Sequence, residues 1–91
     1  MFRLTVTSGY RRDVRSLLKK NPQLISQVRN GQEILKKDPY NVSHAYAIRK
    51  LTKIAKGKGQ WRLRVNNYRF RYDIFENTVV FYSFKHRRAA Y

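Results

Sequence analysis

Residues 60–84 read QWRLRVNNYRFRYDIFENTVVFYSF, and the period of this stretch decides the fold. Trp61, Leu63 and Val65 alternate with Arg62 and Arg64, and after Asn66-Asn67 the residues Tyr68, Phe70, Tyr72 and Ile74 alternate with Arg69, Arg71 and Asp73. A period of two marks strands that bury one face. Beyond Glu76-Asn77, Thr78–Phe84 supplies a third strand. Asparagine tolerates the left-handed backbone that tight hairpins require, so both breaks read as two-residue loops of an antiparallel meander.

With Asn66-Asn67 as the loop, Val65 faces Tyr68, Leu63 faces Phe70 and Trp61 faces Tyr72, which makes one apolar face for helices to cover. On the other face Arg64 opposes Arg69 and Arg62 opposes Arg71. Like charges directly opposed across a sheet destabilise it by roughly 0.2–1 kcal/mol per pair. Two such pairs stacked together point to an anion between them, because the planar guanidinium fork matches phosphate. With Glu76-Asn77 as the second loop, an unbroken register places Tyr82 opposite Arg71 and Phe84 opposite Arg69. Those rings would stack on bases. Lys85, His86, Arg87, Arg88 and Tyr91 then emerge beside this face.

Outward from the meander, Phe2–Thr7 alternates as a half-buried strand. Tyr10, Val14, Leu17 and Leu18 form the apolar stripe of a helix that carries Arg11, Arg12, Arg15, Lys19 and Lys20 on its remaining surface. Asn21-Pro22 starts a second helix, outlined by Leu24, Ile25, Val28, Ile34 and Leu35 and stopped by Asp38-Pro39, with Gly31 as a weak point. The two helices form an αα-hairpin. Asn41–Lys58 has two readings: a helix through Ile48, Leu51, Ile54 and Ala55 capped by Ser43, or an irregular, partly extended segment. Gly57-Lys58-Gly59 closes it as a flexible basic turn. The expectation is a single α+β domain over residues 1–91, β-α-α-β-β-β, with about four antiparallel strands and the helical hairpin packed on them.

The chain has 91 residues with 21 Lys+Arg against 5 Asp+Glu, a formal charge of +16, which calls for a polyanionic partner: nucleic acid, an acidic protein that masks it, or an anionic membrane surface. Cysteine is absent, so disulfides, cysteine-ligated zinc and iron–sulfur clusters are excluded. No apolar run approaches the length of a membrane span and the amino end lacks a secretory apolar stretch, so a cytoplasmic chain without membrane attachment is expected. The acids Asp13, Glu33, Asp38, Asp73 and Glu76 are scattered and make no metal-holding pair. No cofactor or metal is expected. His44 reads as solvent-exposed or structural, and Trp61 as core.

RNA brings its own nucleophile, the 2′-hydroxyl. A protein then needs only to align it, stabilise the crowded phosphorane-like charge and move two protons. Arginines supply the charge, and Lys85, His86 or Tyr91 could move protons, whereas arginine stays protonated. This inventory fits metal-independent RNA cleavage that leaves a 2′,3′-cyclic phosphate. Arg71, Tyr82, Phe84, Arg88, Lys56 and Lys58 surround the cluster as candidate RNA contacts.

The carboxyl half, GKGQWRLRVNNYRFRYDIFENTVVFYSFKHRRAAY, resembles the RelE/ParE toxins of bacterial type II toxin–antitoxin modules. The matching elements are the Trp-Arg-x-Arg-Val strand, the Asn-Tyr-Arg-x-x-Tyr strand and the closing His-Arg-x-x-x-Tyr, preceded by a strand and two helices in the family's order. The resemblance implies a small toxin held inactive by an acidic antitoxin. RelE-like members cut messenger RNA in the ribosomal A site with a basic cluster and a terminal tyrosine, so ribosome and mRNA are implied partners. By position, Arg62 and Arg64 match the two basic residues of the family's strand, Arg69 the arginine of the next strand, and Arg87 and Tyr91 the closing pair. His86 matches a histidine frequent there. The best-known RelE has lysines where this chain has Arg62 and Arg64, which moves proton transfer to Lys85, His86 or Tyr91. ParE-like members share the fold and poison DNA gyrase by binding, and generally lack the full basic and tyrosine set; that is the alternative activity.

Overall fold

In the computed structural model, which describes residues 1–89, strand β1 (Arg3–Val6) leads into helix α1 (Ser8–Lys20). A short 3-10 turn at Pro22–Leu24 opens helix α2 (Ile25–Lys37), followed by strands β2 (Ile48–Lys50), β3 (Trp61–Val65), β4 (Tyr68–Phe75) and β5 (Thr78–His86). The strands form one five-stranded sheet in the order β1-β5-β4-β3-β2, antiparallel except for the parallel pairing of β1 with β5. The helical hairpin between β1 and the meander gives β1 the long connection it needs to return parallel to β5.

Thr7 joins the first strand to the first helix. Its Oγ1 accepts from the Tyr10 backbone N–H at 3.2 Å, capping α1, and donates to the Phe81 carbonyl at 2.9 Å. That pair of bonds pins the start of α1 to the middle of β5. Tyr10 then enters a core with Val28, Leu35, Leu63, Phe70, Tyr72, Ile74, Val79, Phe81 and Phe84. The aromatic rings pack in series: Tyr10 lies 4.9 Å from Phe81 and Phe70 lies 4.8 Å from Phe84, centroid to centroid. Burying each such side chain contributes on the order of 1.5–3 kcal/mol, which is how a chain of this charge stays folded without crosslinks.

Both hairpin loops have two residues, as the alternation requires. Val65 pairs with Tyr68 around Asn66-Asn67, and Phe75 pairs with Thr78 around Glu76-Asn77. Asn66 and Glu76 take the left-handed backbone, at φ 55° and 53°. The register across β3 and β4 is the one the sequence implies throughout.

Three expectations are corrected, and an open reading is decided. First, the β4–β5 register slips at Arg71/Tyr72, so Arg71 opposes Ser83 and Arg69 opposes Lys85, rather than Tyr82 and Phe84. One extra residue in β5, a β-bulge, accounts for the shift. Second, the slip turns Phe84 inward opposite Phe70, where it is fully buried and cannot stack on a base. Third, β5 continues to His86, so Lys85 and His86 belong to the strand. Of the two readings of residues 41–58, the helix is not formed: Ser43 bonds Asp38 instead of capping one, and Ile48–Lys50 forms a fifth strand. The alternative of an irregular, partly extended segment is the one observed.

The buried phenols set a prediction for alkaline conditions. Burial pushes the Tyr10 hydroxyl up to about 12, opposed in part by its hydrogen bond from Gln32. Burial, with a smaller contribution from the charge of Asp38, also raises Tyr72, whose O–H donates to the Pro39 carbonyl at 2.8 Å. A raised folded-state pKa gives stability that is complete below the unfolded tyrosine value, about 10, and lost as pH climbs toward about 12. Urea unfolding of the parent is therefore expected to weaken more between pH 10 and about 12 than that of Tyr10→Phe; equal losses would show that Tyr10 is not the titrating group.

Candidate functional site

The two helices cover one face of the sheet, and the register fixes what the other face presents. Arg49 of β2 pairs with Arg62 of β3, which pairs with Arg71 of β4. One step along, Arg64 pairs with Arg69, which pairs with Lys85 of β5. Because side chains alternate, all six project from the face opposite Leu63, Phe70 and Tyr72. The result is a grid of two rows of three cations on adjacent strands. Ala47, Ile48, Arg49, Arg62 and Arg64 line a recess at the β2 edge of this grid.

Arg49 was not among the residues singled out from sequence. It belongs to a strand of only three residues, tied on by the Arg64 N–H to the Ala47 carbonyl at 3.0 Å as well as by its ladder. A short alternation, Tyr46 and Ile48 inward against Ala47 and Arg49, was the available signal.

The grid differs from place to place in how its members are held. Arg64 is exposed, whereas Arg62 and Arg69 are half-buried. Arg71 donates through Nε to the Gly59 carbonyl at 2.8 Å and through Nη2 to the Lys58 carbonyl at 3.3 Å. Lys85 reaches Asp13 of α1, with Nζ 3.2 Å from Oδ1, and the other oxygen of Asp13 accepts from the Phe84 N–H at 3.1 Å. Asp13 thus covers the β5 edge beyond the end of β1 and pairs with Lys85.

The closing segment sits at the same end of the sheet. The Arg87 N–H donates to the Asn67 carbonyl at 2.7 Å, which brings Arg87 to the loop between the strands of Arg64 and Arg69. His86 stands edge-on to Tyr68, 5.2 Å between ring centroids, and its Nδ1 accepts from the Arg88 N–H at 3.2 Å. An accepting Nδ1 carries no proton, so the neutral ring has its hydrogen on Nε2. Arg87 and Arg88 are exposed. Tyr91 lies outside the described residues.

Of the surrounding candidates, Tyr82 is on the polar face at the bulge, where burial first and the nearby Asp73 second raise its pKa. Lys58 is exposed, and Lys56 places its ammonium 4.7 Å above the Phe75 ring. Phe84 belongs to the core, as described above. His44 is exposed, as read from the sequence. Trp61 packs between Tyr40 and Tyr72 on the helix-covered face. Among the described residues no group of three or more His, Cys, Asp or Glu side chains could hold a metal ion, and no helix is long and apolar enough to cross a membrane.

Solved structures with a similar fold are known. The toxin of the RelBE2 toxin–antitoxin complex from Mycobacterium tuberculosis superposes with a TM-score of 0.68 at 25% identity, over 94% of this chain and 98% of that one. The RelB–RelE antitoxin–toxin complex from Methanococcus jannaschii gives 0.59 at 19% identity, over 93% and 92%. A mutant toxin from Helicobacter pylori, solved with copper bound, gives 0.70 at 13% identity over the whole of both chains. The last two establish the fold alone. No family model and no curated protein matches the sequence.

Proposed function

We propose that this chain, a RelE-like toxin, is the poison of a type II toxin–antitoxin module and acts as a metal-independent endoribonuclease on mRNA in the ribosomal A site. The observation that carries this reading is the grid of Arg49, Arg62, Arg71, Arg64, Arg69 and Lys85 on the face of the sheet opposite the helices. Such mutual opposition destabilises the free protein, and a bound phosphate relieves it.

In the proposed reaction the RNA 2′-oxygen attacks the adjacent phosphorus, the bond from phosphorus to the 5′-oxygen breaks, and a 2′,3′-cyclic phosphate and a 5′-hydroxyl remain. The arginines stabilise the extra negative charge on the phosphorane-like transition state. One proton leaves the 2′-hydroxyl and one reaches the 5′-oxygen. His86 and Tyr91 are the pair proposed for these transfers. Lys85, ion-paired with Asp13, is proposed as a hydrogen-bond donor to the phosphate. Carboxylates spread as widely as Asp13, Glu33, Asp38, Asp73 and Glu76 offer no two-metal alternative.

The proposed partner follows from charge. An antitoxin that neutralises a toxin of formal charge +16 should present an acidic segment across the arginine face, and association should slow as salt is added.

The test is a defined translation reaction with purified protein, followed by mapping of new mRNA 5′ ends. Cuts at the A-site codon that require ribosomes are expected. Intact mRNA with continuing synthesis, and trapped breaks in DNA–gyrase mixtures, would replace this reading with gyrase poisoning. Intact mRNA with stalled synthesis would leave a ribosome binder without chemistry.

A further inference from the structure

On the cationic face of β4 stands an acid, Asp73, that is fully buried. Asp73 is 0% exposed although it shares a strand and a face with Arg69 and Arg71. A turn of the segment between β2 and β3 folds over it. Oδ2 accepts the Gly57 N–H at 2.6 Å and the Gly59 N–H at 3.1 Å, and Oδ1 accepts the Gln60 N–H at 2.7 Å. The same turn holds Arg71, through the Lys58 and Gly59 carbonyls. Its amides thus face the aspartate and its carbonyls face the arginine.

The glycines make this two-sided grip possible. Gly57 and Gly59 have φ of +97° and +84°, where other residues are strained. At Gly59 an added Cβ would also lie 3.2 Å from the Arg71 Cβ and 3.3 Å from its Nε. The close approach that lets the carbonyl receive the guanidinium therefore depends on the missing side chain. Only a carboxylate can hold the other side, since an amide side chain has one acceptor oxygen for several N–H donors.

We propose that Asp73 is a positioning residue that acts through Arg71: it fixes the Gly57–Gln60 turn, whose carbonyls aim the Arg71 fork so that its remaining N–H donors meet the phosphate beside Arg62. This deepens the phosphate-binding reading of the grid and rests on it. A staple that merely stabilised the loop would need no contact between the turn and a member of the grid. Here two of the bonds made by the turn are to Arg71.

A double-mutant cycle on mRNA cleavage at saturating ribosomes separates the two roles. Asp73→Asn and Arg71→Ala are each expected to slow cleavage on the order of tenfold to a hundredfold, the scale of a misplaced contact group. The double variant is expected to be no slower than Arg71→Ala alone, because Asp73 has nothing left to aim. Losses that multiply would overturn the proposal. Gly59→Ala, which leaves Asp73 in place and pushes the turn off Arg71, should reproduce the loss and gives the test a second variant if Asp73→Asn folds poorly; full activity in Gly59→Ala would equally overturn it. Amide exchange supplies a readout independent of catalysis. Asp73→Asn should speed exchange at Gly57, Gly59 and Gln60 and at the Arg71 Nε–H, and unchanged exchange would refute the grip. If the parent cuts no RNA, the cleavage reading fails on that result alone, while the exchange data still decide whether Asp73 governs Arg71.

Discussion

Arg64→Ala is expected to reduce ribosome-dependent mRNA cleavage by about 10²–10³-fold, the usual loss when one preorganised charge donor is removed from a transition state. The same variant should melt at the parent's temperature or slightly above it. Arg64 is exposed and directly opposes Arg69, so its loss removes a like-charge pair worth roughly 0.2–1 kcal/mol of repulsion and buries nothing unsatisfied. For a domain of this length that relief corresponds to a gain of about 1–8 °C. The opposite signs of the two effects make the prediction demanding. A residue kept for stability would show both falling together, whereas one kept for phosphate binding shows activity lost and stability retained. Rate measurements at saturating ribosomes and a thermal melt of the same preparation suffice. A variant that cleaves at the parental rate removes Arg64 from the site, and one that melts far lower shows that contacts of Arg64 outweigh the repulsion.

How much of this site could be read from the residues depends on the length of each repeating pattern. Five alternating residues in Trp61–Val65 and eight in Tyr68–Phe75 leave one register for β3 and β4, so the opposed arginines followed directly from the two-residue loop. The pattern of β5 contains a fault that an unbroken register conceals. Val79 and Phe81 point inward two apart, but the next inward ring is Phe84, three further on. Had the period continued, Ser83 would have been buried and Phe84 exposed; a bulge at this point avoids both. That inverted pairing of polar and aromatic residues was the available clue, and reading past it sent Phe84 to the wrong face.

The segment before β3 was illegible for a different reason. Its three-residue strand is too short to display a period, and the rest is shaped by contacts distant in sequence. Asp73 draws in Gly57, Gly59 and Gln60, while Asp38 holds Val42 and Ser43. A single aspartate on an otherwise cationic strand face gave no indication that it would organise a turn. Arg49 went unnoticed as a consequence, since its place in the grid exists only once that short strand has paired.

Gly31→Ala is expected to destabilise the protein by about 1–3 kcal/mol, despite being a substitution that favours helix almost everywhere else. In an exposed helix the change would gain about 1 kcal/mol from reduced backbone entropy in the unfolded chain and better propensity. Gly31, however, is buried at the face where α2 meets the sheet, and an added Cβ would overlap Cζ and Cε1 of Phe70, with Cδ1 at 3.1 Å. A flexible neighbour could turn aside. Phe70 cannot, because it is fully buried with Tyr10, Phe81 and Phe84 around its ring. Either the ring leaves its rotamer or α2 moves off the sheet, and overpacking of this kind costs typically 1–3 kcal/mol beyond what propensity returns. A fall of roughly 4–8 °C in the melting temperature per kcal/mol is the corresponding readout for a domain of this size. The companion variant Gly31→Ala with Phe70→Leu, which frees the space the methyl group needs, should recover part of the loss relative to Phe70→Leu alone. A higher melting temperature for Gly31→Ala would mean that the helix does not approach the sheet this closely. The residue that looked like a flaw in the helix is thus the contact that lets α2 lie against the strand carrying Arg69 and Arg71 on its other face.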